Sequence, residues 1–421
     1  MLDVVQRADA QLGQALGTGR SFLEFEPAEY GRRHARAKAL MERGDLDALV
    51  LAEPSNVRYY TGLRSWFTVL PPVLPILAVL VPDPAKTTIV DTTTERGSVE
   101  SATWIESPEL YGAWDDPMET VVKALTKRGL EKGRLGLELG TGRLPHLSPN
   151  DLDRLRSLLP KAEFVDASEI LHAARALKSD AEVALIRRAV DLIVISFKAA
   201  CKQLRAGVTE LELTRVAASA ILDSGGSPDL NPQVFIVMAG AERYRLPLLP
   251  STDREIRVGE LVSLDGGCAV QGYHSDFARA AIIGRAPTDV AEEYQAAVDA
   301  LEAAQSSLGP GRPLGEAWNA AQGVLDSRGL GGSTVNPRNI GHSIGLDHWE
   351  LPTVGRPDSE MGQVLARPGM VVCVEPQIAG ARGDDSWLRG LFLVEDQVLV
   401  TDSGIEVLTG GMPRELHVTN G

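Results

Sequence analysis

Three apolar runs in the second half of this chain end on an acid: LVSLD at Asp265, MVVCVE at Glu375 and LFLVE at Glu395. Each run has the composition of a buried strand, and a carboxylate at the end of a buried strand is costly to leave unpaired. A fourth acid, Asp276, lies eleven residues beyond Asp265 in LVSLDGGCAVQGYHSDFARAAIIG, which reads as a hairpin about the Gly-rich turn GGCAVQG. The two strands of such a hairpin run side by side, so both carboxylates can face one point. Two anions held together need positive charge between them, and a divalent cation is the usual answer. His342, flanked by glycine in GHSIGLDHWELP, adds one imidazole to the four carboxylates. Oxygen-rich ligation with a single nitrogen suits Mn, Fe, Co or Zn in a two-metal arrangement that activates a shared water. Taken singly, each acid also reads as a solvated strand end; five such residues in this order favour a metal centre.

The 421 residues exceed the ~250–300 at which one hydrophobic core stops growing, so two domains are expected. The first part alternates a charged helix, EYGRRHARAKALMERG, with the strand patterns DALVLA, LAVLVP, TTIVD and GRLGLEL, which implies an α/β domain. From Ala174 to Leu204 the pattern turns helical, and Ser179-Asp180-Ala181-Glu182 within it is a capping-box signature. The domains are therefore placed at residues 1–173 and 174–421. After a second helix, TELELTRVAASAILDSGG, the later domain becomes strand-rich, with helices at Asp289–Ser307 and Leu314–Arg328 and strands at VVCVEPQI and FLVEDQVLV.

The formal charge of −15 leaves no basic face to neutralise phosphates, which argues against nucleic acid or an anionic membrane as partner. The longest apolar run, VLPPVLPILAVLVP, is broken by prolines and too short to span a bilayer, and the start MLDVVQRADAQLGQ has no apolar signal core. Cys201, Cys268 and Cys373 are far apart without CxxC spacing and read as reduced thiols, the last two as small buried residues. The expectation is a cytoplasmic protein acting on a small soluble substrate.

Four motifs in one order, SLDGGCAVQGYHSDFAR, GHSIGLDHWELP, MVVCVEPQI and VEDQVLVTDSGIEVLT, resemble the pita-bread metallopeptidases and their relatives: aminopeptidase P, prolidase, creatinase and the dimethylsulfoniopropionate lyase of this fold. The likeness covers about residues 175–421 and, more faintly, the first domain through EPSNVRYYTG. It implies a creatinase-like α/β domain followed by a pita-bread (α+β) catalytic domain, in a homodimer. It also makes Asp265, Asp276, His342, Glu375 and Glu395 ligands of two divalent ions. In this family a loop of the first domain reaches the neighbouring subunit's site; YYTGLRSWF corresponds to it, so Arg64 and Trp66 are candidate substrate contacts.

The chain departs from the family around that ligand set. The peptidases carry a histidine before the first aspartate, where this chain has Pro247 or Leu248, and a second one seven residues after the metal histidine, where it has Trp349. His348 stands one place early, as an auxiliary acid or base or as a rim histidine paired with Asp347 or Glu350. Trp349 offers a flat wall able to stack on a cation. Ala278 replaces a threonine, Leu393 an arginine and Gln377 a glycine. Tyr244, Arg243 and Arg245 are candidates for holding a substrate carboxylate, and Arg338, Arg382 and Arg389 weaker ones. His274 shares a strand face with Asp276 while Tyr273 points away, and reads as a structural histidine first.

Three readings follow. The first is a metal-dependent hydrolase cleaving a C–N bond in a small amide, Xaa-Pro-like or amidino substrate, with Glu375 assisting proton transfer and His348 beside it. The second keeps the metals as a Lewis acid in a lyase on a small carboxylate, as the altered histidines and Trp349 suggest. The third is an inactive binding relative, against which the five retained ligands argue.

Overall fold

Strand β1, Ala48–Leu51, is buried at every position, which is what a strand covered on both faces requires. It pairs antiparallel with β2 (Leu77–Leu80) and parallel with β5 (Arg134–Leu137); β3 (Thr88–Thr92), β4 (Glu109–Tyr111) and β6 (Glu163–Asp166) complete a six-stranded sheet of order 4-3-2-1-5-6. On one face Val50, Val79, Val90 and Leu135 pack with Met118, Val121 and Leu125 of the helix Pro117–Thr126. The charged helix begins at Pro27, whose missing N–H suits a first helical turn, and ends at Gly44, burying Tyr30, Ala37, Leu40 and Met41. The computed structural model describes residues 1–9, 15–65, 74–140, 147–226, 235–244, 246, 249–380 and 390–420, and this sheet belongs to the first of two compact units, Met1–Arg175.

The second unit is Ala176–Gly421. Its long helix, Asp180–Gln203, starts at a complete capping box: the Ser179 hydroxyl accepts from Glu182 N and the Glu182 carboxylate accepts from Ser179 N. Thr209 and Glu212 make the same arrangement at the helix Glu210–Asp223. The strands that follow are β7 (Phe235–Ala239), β8 (Leu261–Gly266), β9 (Ala269–Val270), β10 (Tyr273–His274), β11 (Phe277–Ile283), β12 (Asn339–Ser343), β13 (Glu350–Gly355), β14 (Val371–Val374), β15 (Gln377–Ala379), β16 (Leu391–Leu393), β17 (Asp396–Thr401), β18 (Gly404–Val407) and β19 (His417–Thr419). They form sheets of order 19-11-8-7 and 13-12-14-17-18, with β9–β10 and β15–β16 as two-stranded pairs. The expected hairpin is present as β8 and β11, antiparallel, with Ala278 opposite Asp265.

Two segments expected as single strands are each broken in two. VVCVEPQI divides into β14 and β15 at Glu375-Pro376, and FLVEDQVLV into β16 and β17 at Val394-Glu395. Pro376 has no N–H to give to a ladder, so the first break has a local cause. Glu375 and Glu395 sit at the breaks. Among the described residues no helix is long and apolar enough to cross a membrane.

Candidate metal centre

Two rows of backbone pairing set the site. Across β12, β14 and β17, His342 lies opposite Cys373, and Cys373 opposite Gln397. Across β8 and β11, Asp265 lies opposite Ala278, which also bridges to Glu395. Opposed residues share a sheet face, so each row points its side chains one way. Gln397 joins the rows, since its Oε1 accepts from Asp276 N at 3.2 Å and its Nε2 donates to His274 O at 3.4 Å. Gly341 permits the spacing of the first row, because a Cβ there would lie 2.0 Å from Cys373 O.

His342 is 1% exposed. Its Nδ1 sits 3.0 Å from Ser343 O, and a carbonyl can only accept, so Nδ1 carries a proton and Nε2 is the nitrogen turned to the acidic cluster. That Nε2 is 3.6 Å from Asp276 Oδ2 and 3.6 Å from Glu375 Oε1, too far for hydrogen bonds. A ring nitrogen and two carboxylate oxygens face one another across a gap of a few ångströms. The donor atoms of Asp276, His342, Cys373 and Glu395 all lie within 4.8 Å of one another, and Glu395 Oε1, fully buried, makes no hydrogen bond among the described residues.

The electrostatics of the cluster are those of crowded anions. Burial, then the charges of Asp276 and Glu375, push the Asp265 carboxyl well above the usual range, and burial with the same two neighbours does so for Glu395. Glu375 is raised by burial, with His342 acting in the opposite sense. Burial also works against charge on Asp276, but the His348 and His342 rings outweigh it and hold its pKa below the usual range. Four carboxylates, one imidazole nitrogen turned towards them and an orphaned carboxylate oxygen in a buried space fit one or more divalent cations, which would be held by Asp265, Asp276, His342, Glu375 and Glu395.

Side chains around the cluster fix its members. Gln377, where the family pattern has glycine, donates from Nε2 to Glu375 Oε2 at 2.7 Å. Behind Glu395, Arg279 donates from Nη1 to the Glu395 carbonyl at 2.6 Å and from Nη2 to Asp396 Oδ1 at 2.7 Å. Ala278 is fully buried between Asp265 and Glu395, and Leu393 is buried too. His348 places Nε2 3.0 Å from Asp276 Oδ2, so its partner is Asp276; burial opposes its charge, but Asp276 pushes its pKa up to about 9. Glu350, the alternative partner, pairs instead with Lys178 at 2.9 Å, both buried, and its Oε1 accepts from Asp347 N at 3.1 Å. Trp349 is half-exposed, its ring centroid 4.7 Å from that of His342 at an interplanar angle of 35°.

Several expected substrate contacts lie elsewhere. Tyr244 is 2% exposed and its hydroxyl donates to Leu261 O, which ties it into the fold and corrects its expected place among the substrate contacts. Arg243 is buried against Glu210, with Nε 2.9 Å from Oε1, and is likewise committed. Arg338 is exposed. Arg64 is exposed in the first unit, two residues beyond Gly62, the left-handed cap of the helix Pro54–Thr61. Trp66, Arg245, Pro247, Leu248, Arg382 and Arg389 lie outside the described residues. His274 is buried with its N–H donating to Gly345 O at 2.8 Å and its ring perpendicular to that of His348, while the Tyr273 hydroxyl donates to Glu182 Oε1 at 3.0 Å. Burial, then the neighbouring His348, lowers the His274 pKa to about 4, so it stays neutral. Gln397 and Lys178 were not singled out by the sequence. For Gln397 the period-two spacing from Glu395 was the available signal.

Known proteins share this architecture. An uncharacterized hydrolase/peptidase of Sinorhizobium fredii is 26% identical over 414 residues, covering 94% of this chain and 99% of the relative. The Xaa-Pro dipeptidase of Pyrococcus horikoshii is 25% identical over 374 residues, covering 88% and 94%. The crystal structure of dipeptidase PepE from Mycobacterium ulcerans superposes with a TM-score of 0.79 at 27% identity, covering 94% of this chain and 99% of that one. The prolidase of Pyrococcus horikoshii shares the fold, with a TM-score of 0.76 at 23% identity and coverage of 91% and 99%. These names give the lyase alternative no support. Residues 33–177 match the creatinase/prolidase N-terminal domain and residues 184–402, more than half of the chain, match metallopeptidase family M24, so the chain belongs to that family and carries its pita-bread fold.

Proposed function

We propose that this protein is a metallohydrolase that cleaves the C–N bond of a small, dipeptide-like amide. Its ligand set is Asp265, Asp276, His342, Glu375 and Glu395, and it takes two divalent ions. The observation that supports the reading best is Nε2 of His342 facing Asp276 and Glu375 at 3.6 Å each inside a buried cluster of four carboxylates, a donor set that suits a divalent cation. When bound, such ions act as a Lewis acid for the amide carbonyl and lower the pKa of water.

The chain's own groups do the rest. Glu375, oriented by Gln377, accepts the proton lost by the attacking water, and His348 holds a proton at Nε2 against Asp276, within reach of a leaving amine. Trp349 forms an apolar wall beside His342 and favours a substrate with a flat or apolar residue there. Arg64 and Trp66 are proposed to contact substrate across a homodimer, and the three free cysteines suit a cytoplasmic setting.

Metal analysis and a dipeptide panel test this together. Protein purified without chelator should hold at least one divalent ion per subunit and hydrolyse some member of an Xaa-Pro and Xaa-Xaa panel, with Asp265→Ala as the blank. Metal-loaded protein that cleaves no member faster than that blank would sink the proposal.

A further inference from the structure

Cys373 stands in the ligand cluster itself. It is fully buried on β14, directly opposite His342 on β12, and its Sγ is among the four donor atoms lying within 4.8 Å of one another. One four-coordinate ion holding a thiolate at about 2.3 Å and carboxylates or imidazole at about 2.0–2.2 Å sets its donors about 3.3–3.7 Å apart, so the four atoms close on a shared ion by shifts of about 1 Å. The second observation is Glu395 Oε1, buried in the same cluster without a hydrogen bond among the described residues. The Cys373 thiol donates to the Glu395 carboxylate, and the oxygen left open, Oε1, lies in the same buried cluster as Nε2 of His342, a place a cation can fill.

The other two cysteines differ. Cys268 Sγ donates to Ala189 O at 3.0 Å and lies 3.6 Å from Ser275 Oγ, so it is committed to the fold. Cys201 is buried in the helix Asp180–Gln203, outside the cluster. Sequence alone gave Cys268 and Cys373 the same reading, small buried residues; position in the β12–β14 register separates them.

We infer that Cys373 is a sulfur ligand to one of the ions of this centre, shared with Asp276, His342 and Glu395. Coordination breaks the S–H bond, sends the proton to solvent and gives the sulfur lone pair to the ion, with no change of oxidation state. A soft donor of this kind biases the site towards zinc or cobalt over manganese. The inference rests on the metal-centre reading above, and its test distinguishes the two.

The experiment is cobalt(II) titration of chelator-stripped full-length protein, followed by absorption. Wild type and Cys268→Ala should show visible cobalt bands together with a near-ultraviolet thiolate-to-cobalt charge-transfer band. Cys373→Ser, and independently Cys373→Ala, should retain the visible bands and lose the charge-transfer band. Cobalt uptake by wild type without that band overturns the inference and leaves Cys373 as a hydrogen-bond donor to Glu395, with the metal centre intact. A band that survives both Cys373 variants also overturns it. No cobalt uptake at all overturns the metal-centre reading and this inference with it.

Discussion

Replacing Asp265 separates two effects that a metal normally hides. Without a cation its buried carboxyl is pushed well above the usual range by burial, Asp276 and Glu375, so Asp265→Asn changes little that the fold depends on. With a cation it removes a ligand. Metal-free Asp265→Asn should therefore melt at or above the metal-free wild type, while the stabilisation that metal gives the wild type, about 2.7 kcal/mol at a hundredfold excess over Kd, disappears. Thermal unfolding with and without chelator, with metal content measured alongside, checks both halves. His348 gives the complementary case: its ring touches Asp276 but leaves the ligand set complete, so His348→Ala should keep its metal and lose roughly 10²-fold or more in turnover, the usual scale for a general acid or base. Loss of metal in that variant would make His348 a positioning residue instead.

The connection between β12 and β13 carries His348 and Trp349, and it is anchored by the buried pair Lys178–Glu350. Removing one partner strands the other charge in the interior, so Glu350→Ala should destabilise the protein by about 3–5 kcal/mol. The double variant Lys178→Met, Glu350→Leu should recover most of that stability in urea titrations. It also loses the acceptor of Asp347 N, so its turnover should stay low while its metal content stays full. Recovery of turnover along with stability would remove the loop-positioning role. Elements of this kind were unevenly legible. The capping boxes at Ser179 and Thr209 lie within four residues of sequence, whereas Lys178 and Glu350 meet only through tertiary folding, and nothing local in either segment marks the pair. The breaks at Glu375 and Glu395 were hidden because apolar residues resume only three residues beyond each acid, at Ile378 and Val398. Pro376 was the visible clue to one of them. Cys373 and Gln397 read as ordinary residues of buried strands until the register of β12, β14 and β17 placed them against His342 and Asp276.

At the scale of the whole chain, the acids of the proposed ligand set stood out in the sequence because an acid ending an apolar strand conflicts with burial, and such conflicts mark candidate sites. Buried acids outside the site carry a second consequence, for stability against pH. Two kinds oppose each other. Burial works against charge on Glu29, but Arg33 and Arg32 lower it to about 2, and Arg279 and Arg414 likewise overcome burial at Asp396. These groups contribute stability that is present above pH 4 and is lost as pH falls through their folded values. Asp91 on β3 is the reverse: burial raises it to about 7, its Oδ1 accepts from Thr92 N, and its Oδ2 has no hydrogen bond among the described residues. Burial and the neighbouring Glu53 raise Glu138 to about 7 as well. Between about pH 4 and 7 the folded chain binds the Asp91 proton and the unfolded chain does not, so this contribution is fully present below pH 4, falls as pH rises from 4 to 7 and is gone above about 7. The upper bound on that loss is about 4 kcal/mol for a shift of about three units. Asp91→Asn keeps an acceptor for Thr92 N and cannot ionise. Its stability relative to wild type should therefore improve from pH 4 to about pH 7 and level off above it in urea titrations at fixed metal content, so that the metal site cancels from the comparison. Wild-type and variant profiles that run parallel across that window would show that Asp91 does not titrate there.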